Sequence, residues 1–322
     1  MAQGIGSIPL GSRVRDSHKH KKTPRSFSFK RKSQLYVLAL FPFLFVLVFS
    51  YLPMGGIWMA FTDFNIRRGI FGSPFAGLRH FESLFTTPVF WDIFRNTVVL
   101  SVYQLVAGFP FPILMAIAFK EIQNKHFRKT IQTITFAPFF ISTVVVVSIL
   151  LQIFSLRFGL VNSFIGLFGV EPINWAGTVS FFRPAYVWSG VWQVTGFNSI
   201  LFIAALSSVD TTLYEAASID GANKMQRLRY IDLPAIRPTI VITLILSTGQ
   251  IMSIGFEKVF LMQNPINFRV SEIIATFVFK VGIEQAQFSF ATAVGFFNAV
   301  VNCALLLMVN WIARRTNETS LF

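Results

Sequence analysis

The sequence predicts an all-α integral membrane protein with six spans and a helix–turn–helix insert facing the cytoplasm. Three observations predict it. The chain of 322 residues is 53% hydrophobic with 39 Phe, more apolar surface than one water-facing globule hides. Six apolar runs are long enough to cross a hydrocarbon core about 30 Å thick, which takes about 20 helical residues. A polar insert of unusual length then separates the fourth run from the fifth. Backbone amides in lipid must be bonded within a helix or a closed barrel, and these runs lack the period-two alternation of barrel strands.

Taken in order, residues 1–34 form a basic tail, and the first apolar run starts only at Leu35. A run so placed and so long reads as a retained anchor rather than a cleaved leader. The spans are expected at about 35–61, 94–119, 131–155, 184–206, 239–262 and 288–313, followed by a short tail, 316–322. Pro110 and Pro112 fall inside the second span and remove helical donors, so a kink is expected there, with a gate hinge as one use for it.

Lys and Arg settle the orientation, because cytoplasmic flanks retain positive charge. Nine lie in the tail. Lys120, Lys125, Arg128 and Lys129 lie in the 2–3 connection, Lys224, Arg227, Arg229 and Arg237 around the insert, and Arg314 and Arg315 at the end of the last span; nine more are shared among all the other segments. Both termini and the insert are therefore expected in the cytoplasm, and the formal charge of +14 reads mainly as topology. A basic tail beside a membrane anchor is attracted to anionic lipid headgroups, so no nucleic-acid partner is expected.

The chemistry of sites excludes several functions. Cys303 is the single cysteine, and the four His (18, 20, 80 and 126) are scattered without metal-ligand spacing, so no metal is expected. No paired carboxylates or nucleophile–base constellation suggests catalysis, and no Gly-rich phosphate cradle is present.

The insert, about 207–238, is too long for a structureless link and should hold helices of its own. Thr212 with Glu215 fits a capping box, Ala216 and Ala217 offer a small face, Asn223 with Gln226 starts a second helix, and Pro234 stops it. Gly221 between them suits a tight reversal.

The spacing within the insert is itself distinctive: Glu215-Ala216-Ala217, three residues to Gly221 (flanked by Asp220 and Ala222), then nine to Ile231-x-Leu233-Pro234. This resembles the coupling loop of permease subunits in ATP-binding-cassette importers. Tyr51-Leu52-Pro53-Met54, Arg95-Asn96-Thr97, Gly108-Phe109-Pro110, Gly159-Leu160-Val161-Asn162 and Asn264-Pro265 extend the likeness to the polysaccharide branch of carbohydrate importers. Within that branch the chain looks most like permeases for acidic or plant-type oligosaccharides, the alginate importer among them. Two departures stand out: a longer basic tail, and the absence of the extra spans of maltose-type subunits.

The resemblance implies a type I importer permease in the inner or plasma membrane that takes an oligo- or polysaccharide from an extracytoplasmic solute-binding protein by alternating access. It implies a second, homologous permease subunit in a heterodimer and two ATP-binding subunits. ATP and Mg would sit on those partners, with no cofactor on this chain. Glu215, Ala216, Ala217, Asp220, Gly221, Ala222, Leu233 and Pro234 would engage the ATPase.

Sugar passage needs hydrogen-bonding groups and aromatic faces at mid-membrane depth. The candidates are Gln104, Gln193, Asn198, Gln250, Asn298 and Trp192, with Gln152, Asn302, Tyr103 and Trp188 beside them. Such amides also hold spans together. The external segments 62–92, 156–183 and 263–287 would meet the binding protein through Arg67, Arg68, Arg79, Arg157, Arg183 and Arg269. The alternative is an ion-gradient-driven transporter or channel. It would keep ionisable groups at mid-membrane, whereas the acids here lie in loops or, like Glu257, near a span end.

Overall fold

The computed structural model describes residues 29–315. The tail through residue 28 and the segment 316–322 lie outside the described residues, and with them most of the basic arm. The chain divides into two compact units, up to Met54 and from Gly55 onward.

In the first unit, helix Phe29–Val46 continues through a π turn, Leu47–Tyr51. Its side chains from Tyr36 through Tyr51 are exposed, as befits a stretch surrounded by lipid. Pro42 lies inside the helix, which membrane helices tolerate.

The second unit is helical, with two isolated bridges and no strand among the described residues. Five helical stretches in the described chain are long and apolar enough to cross a membrane: Tyr36–Phe61, Pro88–Glu121, Val179–Ser207, Lys224–Gly249 and Phe288–Arg315. A sixth forms if the bent pair Lys125–Phe140 and Thr143–Ile153 counts as one span. Pro110 and Pro112 disturb the second span only at Phe109, whose amide still donates to the Leu105 carbonyl at 2.9 Å.

Two spans depart from expectation. The third, expected as one helix over 131–155, turns by 100° between Phe140 and Thr143. Pro138 lies in the turn before the bend, and Ser142 caps the new helix by accepting from the Val145 amide. The Gln193 amide takes up the Ile141 carbonyl at 2.9 Å. Gly196 lets the fourth span pack close against the first of these segments: a Cβ there would stand 2.0 Å from the Thr135 carbonyl oxygen.

The fifth span, expected at 239–262, instead begins with Lys224 and ends at Gly249. A break at Gln250–Gly255 follows, and helix Phe256–Met262 resumes after it. Asn302 braces the break, accepting from the Met252 amide and donating to the Ser253 hydroxyl, both at 3.0 Å. Pro234, expected from sequence to stop the insert's second helix, does not stop it. The π turn Leu228–Asp232 precedes it, with the Leu233 amide reaching back to the Leu228 carbonyl. That wider turn carries the helix past a residue with no amide to give.

Three apolar clusters hold the second unit. One joins Leu100, Val147, Phe182, Val187 and Val259. Another joins Leu84, Phe90, Ile93, Ile274 and Val294. The third, Ala116, Phe202, Leu206 and Ile236, lies where the second, fourth and fifth spans meet near the insert. Because lipid tails are as apolar as these side chains, packing and polar contacts rather than water exclusion favour the association.

Polar contacts sort the connections into two ends. Lys224 pairs with Glu121 at 2.9 Å, joining the 4–5 insert to the 2–3 connection. At the other end, Asn96 donates to the Arg269 and Glu272 carbonyls and accepts from Arg183 at 2.9 Å. Segments expected on one side of the membrane are thus the ones that touch. Arg183 is tied into this network, and Arg79 pairs with Asp63.

Candidate functional site

The insert closes upon itself. Helix Thr211–Ile219 is capped by Asp210, which accepts from the Thr212 amide at 2.9 Å. Thr212 therefore lies inside the first turn and is not the cap that its spacing to Glu215 suggested. The backbone bond from Thr212, and then its hydroxyl, hold the Asp210 carboxyl below the usual carboxylate range.

The helix ends where the Ala222 amide reaches the Ala217 carbonyl at 2.8 Å and the Gly221 amide reaches Ser218 at 3.2 Å. This double closure needs a left-handed residue, and Gly221 has φ 75°. Asn223 and Gln226 form the expected capping box, bonding each other's amides at 2.9 and 2.7 Å. Arg227 closes the elbow by donating from Nε to the Ala222 carbonyl at 3.1 Å.

The outer surface of this elbow is unspent. Glu215, Ala216, Asp220, Gly221, Leu233 and Pro234 are exposed, with Ala217 and Ala222 half-buried. Glu215 makes no ion pair among the described residues, and Ile219 is 88% exposed. An apolar, small-residue helix with a free carboxylate is suited to seating in another protein's cleft.

One residue missed by sequence reasoning anchors the elbow to the bundle. Asp232 is 2% exposed and accepts from Lys120 Nζ at 2.5 Å and from the Tyr214 hydroxyl at 2.5 Å. Lys120 also lies 4.0 Å over the Tyr214 ring. Burial, and then the bond to Asp232, push the Tyr214 phenol up. Tyr214 belongs to the first helix of the elbow, Asp232 to the start of the fifth span and Lys120 to the end of the second, so the three lock all of them together. A lone acid beside Leu233-Pro234 was the available signal.

Above the elbow, the second, fourth and fifth spans enclose a cavity of about 800 Å³. Gln104, Asn198 and Gln250 line it, with Ser101, Tyr186, Phe197, Thr243, Ser247 and Ser253. The amides of Gln104, Asn198 and Gln250 make no side-chain hydrogen bond among the described residues. Gln193 and Asn302 are bonded to backbone instead, and the Asn298 Oδ1 is buried without a partner. Trp192 faces a separate, almost wholly apolar cleft of about 430 Å³ beside Val146 and Ile149. Trp188 donates to the Tyr103 hydroxyl at 3.1 Å.

Sequence reasoning named amides and aromatics but not the hydroxyls. The spacing Thr243, Ser247, Gln250 is one helical face, a signal that was present. It also passed over Lys258, which is 8% exposed and close behind the Tyr186 side of the cavity.

A family model described as binding-protein-dependent transport system inner membrane component matches residues 108–318. The chain is 40% identical over 292 residues to the polygalacturonan/rhamnogalacturonan transport system permease protein YteP of Bacillus subtilis (strain 168), covering 91% of each chain. It is similar to a chain in the crystal structure of a bacterial ABC transporter involved in the import of the acidic polysaccharide alginate, with TM-score 0.82 and 36% identity over 89% of this chain and 97% of that one. It matches a chain in the bacterial alginate ABC transporter in complex with an alginate pentasaccharide-bound periplasmic protein at TM-score 0.83 and 35% identity, over 91% and 98% of the two chains.

Proposed function

Because the chain belongs to the family of binding-protein-dependent transport system inner membrane components, we propose that it imports an oligo- or polysaccharide, acidic in character. In this reading it is one of two homologous, non-identical permease subunits. Two ATP-binding subunits carry the ATP and magnesium, and an extracytoplasmic solute-binding protein delivers the sugar. The termini and the elbow face the cytoplasm, in line with the distribution of Lys and Arg.

The observation that carries the reading is the division of labour among amides. Those at Gln193 and Asn302 are spent on backbone within the bundle, while those at Gln104, Asn198 and Gln250 point unbonded at one cavity. Amides left free at a cavity wall offer both donors and acceptors, and sugar hydroxyls match them. The sugars named for the relatives, polygalacturonan and alginate, support the acidic class.

Mechanistically, closure of the ATP-binding subunits would pull on the exposed elbow. The Asp232 brace would hand that displacement to the second and fifth spans, which wall the cavity, so rigid-body motion would change the side to which it opens. The test is reconstitution of the chain with its genomic neighbours in proteoliposomes. ATP-dependent accumulation of a labelled acidic oligosaccharide, abolished without the binding protein, is expected. ATP-independent uptake driven by an imposed ion gradient would overturn the proposal.

A further inference from the structure

Lys258 lies on helix Phe256–Met262, just past the break in the fifth span. Its Nζ donates to the Tyr186 carbonyl at 3.0 Å and stands 4.9 Å from the Tyr186 ring centroid. The same atom comes within 3.3 Å of the point where a Cβ on Gly190 would sit, and Gln104 Oε1 comes within 3.2 Å of that point. Gly190 thus leaves open the space that the ammonium and the amide both border. Gln104 and Tyr186 line the main cavity.

No carboxylate lies within ion-pair distance of Lys258 among the described residues. The contrast is with Lys280, which is bonded to Glu272 at 2.7 Å, and Lys120, which is bonded to Asp232. An ammonium carries three donors, and the Tyr186 carbonyl engages one. A buried cation without a counter-ion is expensive and points to a path for charged cargo.

We infer that Lys258 is a specificity-determining residue of the passage, supplying the positive charge that favours glycans bearing carboxylates, with the Gln104 amide beside it. The inference rests on the permease reading and narrows its substrate to uronate-containing chains. A carboxylate in the cavity gives the ammonium the partner that the protein does not supply, and charge-assisted bonds of this kind are about twice as strong as neutral ones.

The experiment compares ATP-driven uptake of trigalacturonate with that of its fully methyl-esterified form, which keeps the shape and removes the charge. The complete importer is reconstituted with the unaltered chain, with Lys258→Met and with Lys258→Arg. Methionine keeps the length and removes an isolated buried charge, so assembly is expected to survive and is checked by recovery of the intact complex. The unaltered importer should prefer the acid. Lys258→Met should lower that preference by about ten- to a hundredfold, the range for a bond to a charged group, and Lys258→Arg should retain it.

A merely structural role would lower uptake of both sugars and leave their ratio unchanged. An unchanged ratio, with or without such a loss, overturns the inference and leaves the permease reading intact. An unaltered importer that moves neither sugar with ATP overturns both.

Discussion

The elbow and the cavity are built on opposite plans. The elbow, 210–232, closes almost entirely on neighbours in sequence: Asp210 on Thr212, Ala222 on Ala217, Asn223 on Gln226 and Arg227 on Ala222. The cavity is assembled from spans far apart in the chain, and its wall depends on contacts such as Gln193 to Ile141 and Asn302 to Met252. A local, self-capped piece can move as a rigid unit. A cavity made of long-range contacts can change shape when its helices shift. The only buried ionic link described between the two is Asp232 with Lys120.

Breaking that link should give the largest effect. Asp232→Ala leaves Lys120 and Tyr214 without their shared acceptor, and removing one partner of a buried ion pair costs about 3–5 kcal/mol. The expected outcome is a lowered unfolding temperature in detergent and loss of ATP-driven uptake. Asp232→Asn keeps an acceptor and should fall between. Normal stability and uptake in Asp232→Ala would show that displacement reaches the cavity by another route.

Next in size is the cavity side. In Gly196→Ala the new Cβ would stand 2.0 Å from the Thr135 carbonyl oxygen, so the bent third span must move away from the fourth. Overpacking of this kind costs about 1–3 kcal/mol. Basal ATPase activity of the assembled complex should persist while uptake falls. Gly221→Ala affects the elbow alone: nothing lies within 4 Å of the added Cβ, but the left-handed backbone costs about 1–2 kcal/mol. Its expected signature is weaker binding of the ATP-binding subunits with the bundle's unfolding temperature unchanged.

The same contrast explains what was legible in the sequence. The apolar runs, the Asn223–Gln226 box and the turn at Gly221 are short-range and could be read directly. The bend of the third span could not, because it depends on Gln193 and Gly196, more than fifty residues further on. The break after Gly249 looked like continuous apolar sequence, and only the distant Asn302 shows how its backbone is satisfied. Pro234 misled because a π turn upstream offsets the missing amide. Lys258 and Asp232 could not be singled out, since nothing local marks them as buried.

A smaller effect separates amides of the two kinds. Gln193→Leu strands the Ile141 carbonyl and should cost about 0.6 kcal/mol, the usual scale for such bonds in membranes, seen as a modest shift in unfolding temperature. Gln104→Leu and Asn198→Leu remove no intramolecular bond and should leave that temperature unchanged while uptake falls several-fold. The reverse pattern, with stability lost in Gln104→Leu and transport unaffected, would reassign these amides to packing.

The smallest effect lies where the elbow leaves the fourth span. Asp210 is exposed, and its carboxyl is held below its ordinary value by the Thr212 amide, then by the Thr212 hydroxyl. A depressed acid stabilises the folded form fully above its unfolded value, near 4, and that contribution disappears as pH falls through the lower folded value. Protection of Thr211–Ile219 amides against hydrogen exchange should therefore decline toward pH 3, beyond the intrinsic change in exchange rate. Asparagine caps about as well as aspartate but does not titrate. Asp210→Asn should keep the helix capped at neutral pH and abolish the decline. If the decline persists in the variant, the acid sensitivity comes from elsewhere, and the elbow is less self-contained than its hydrogen bonds imply.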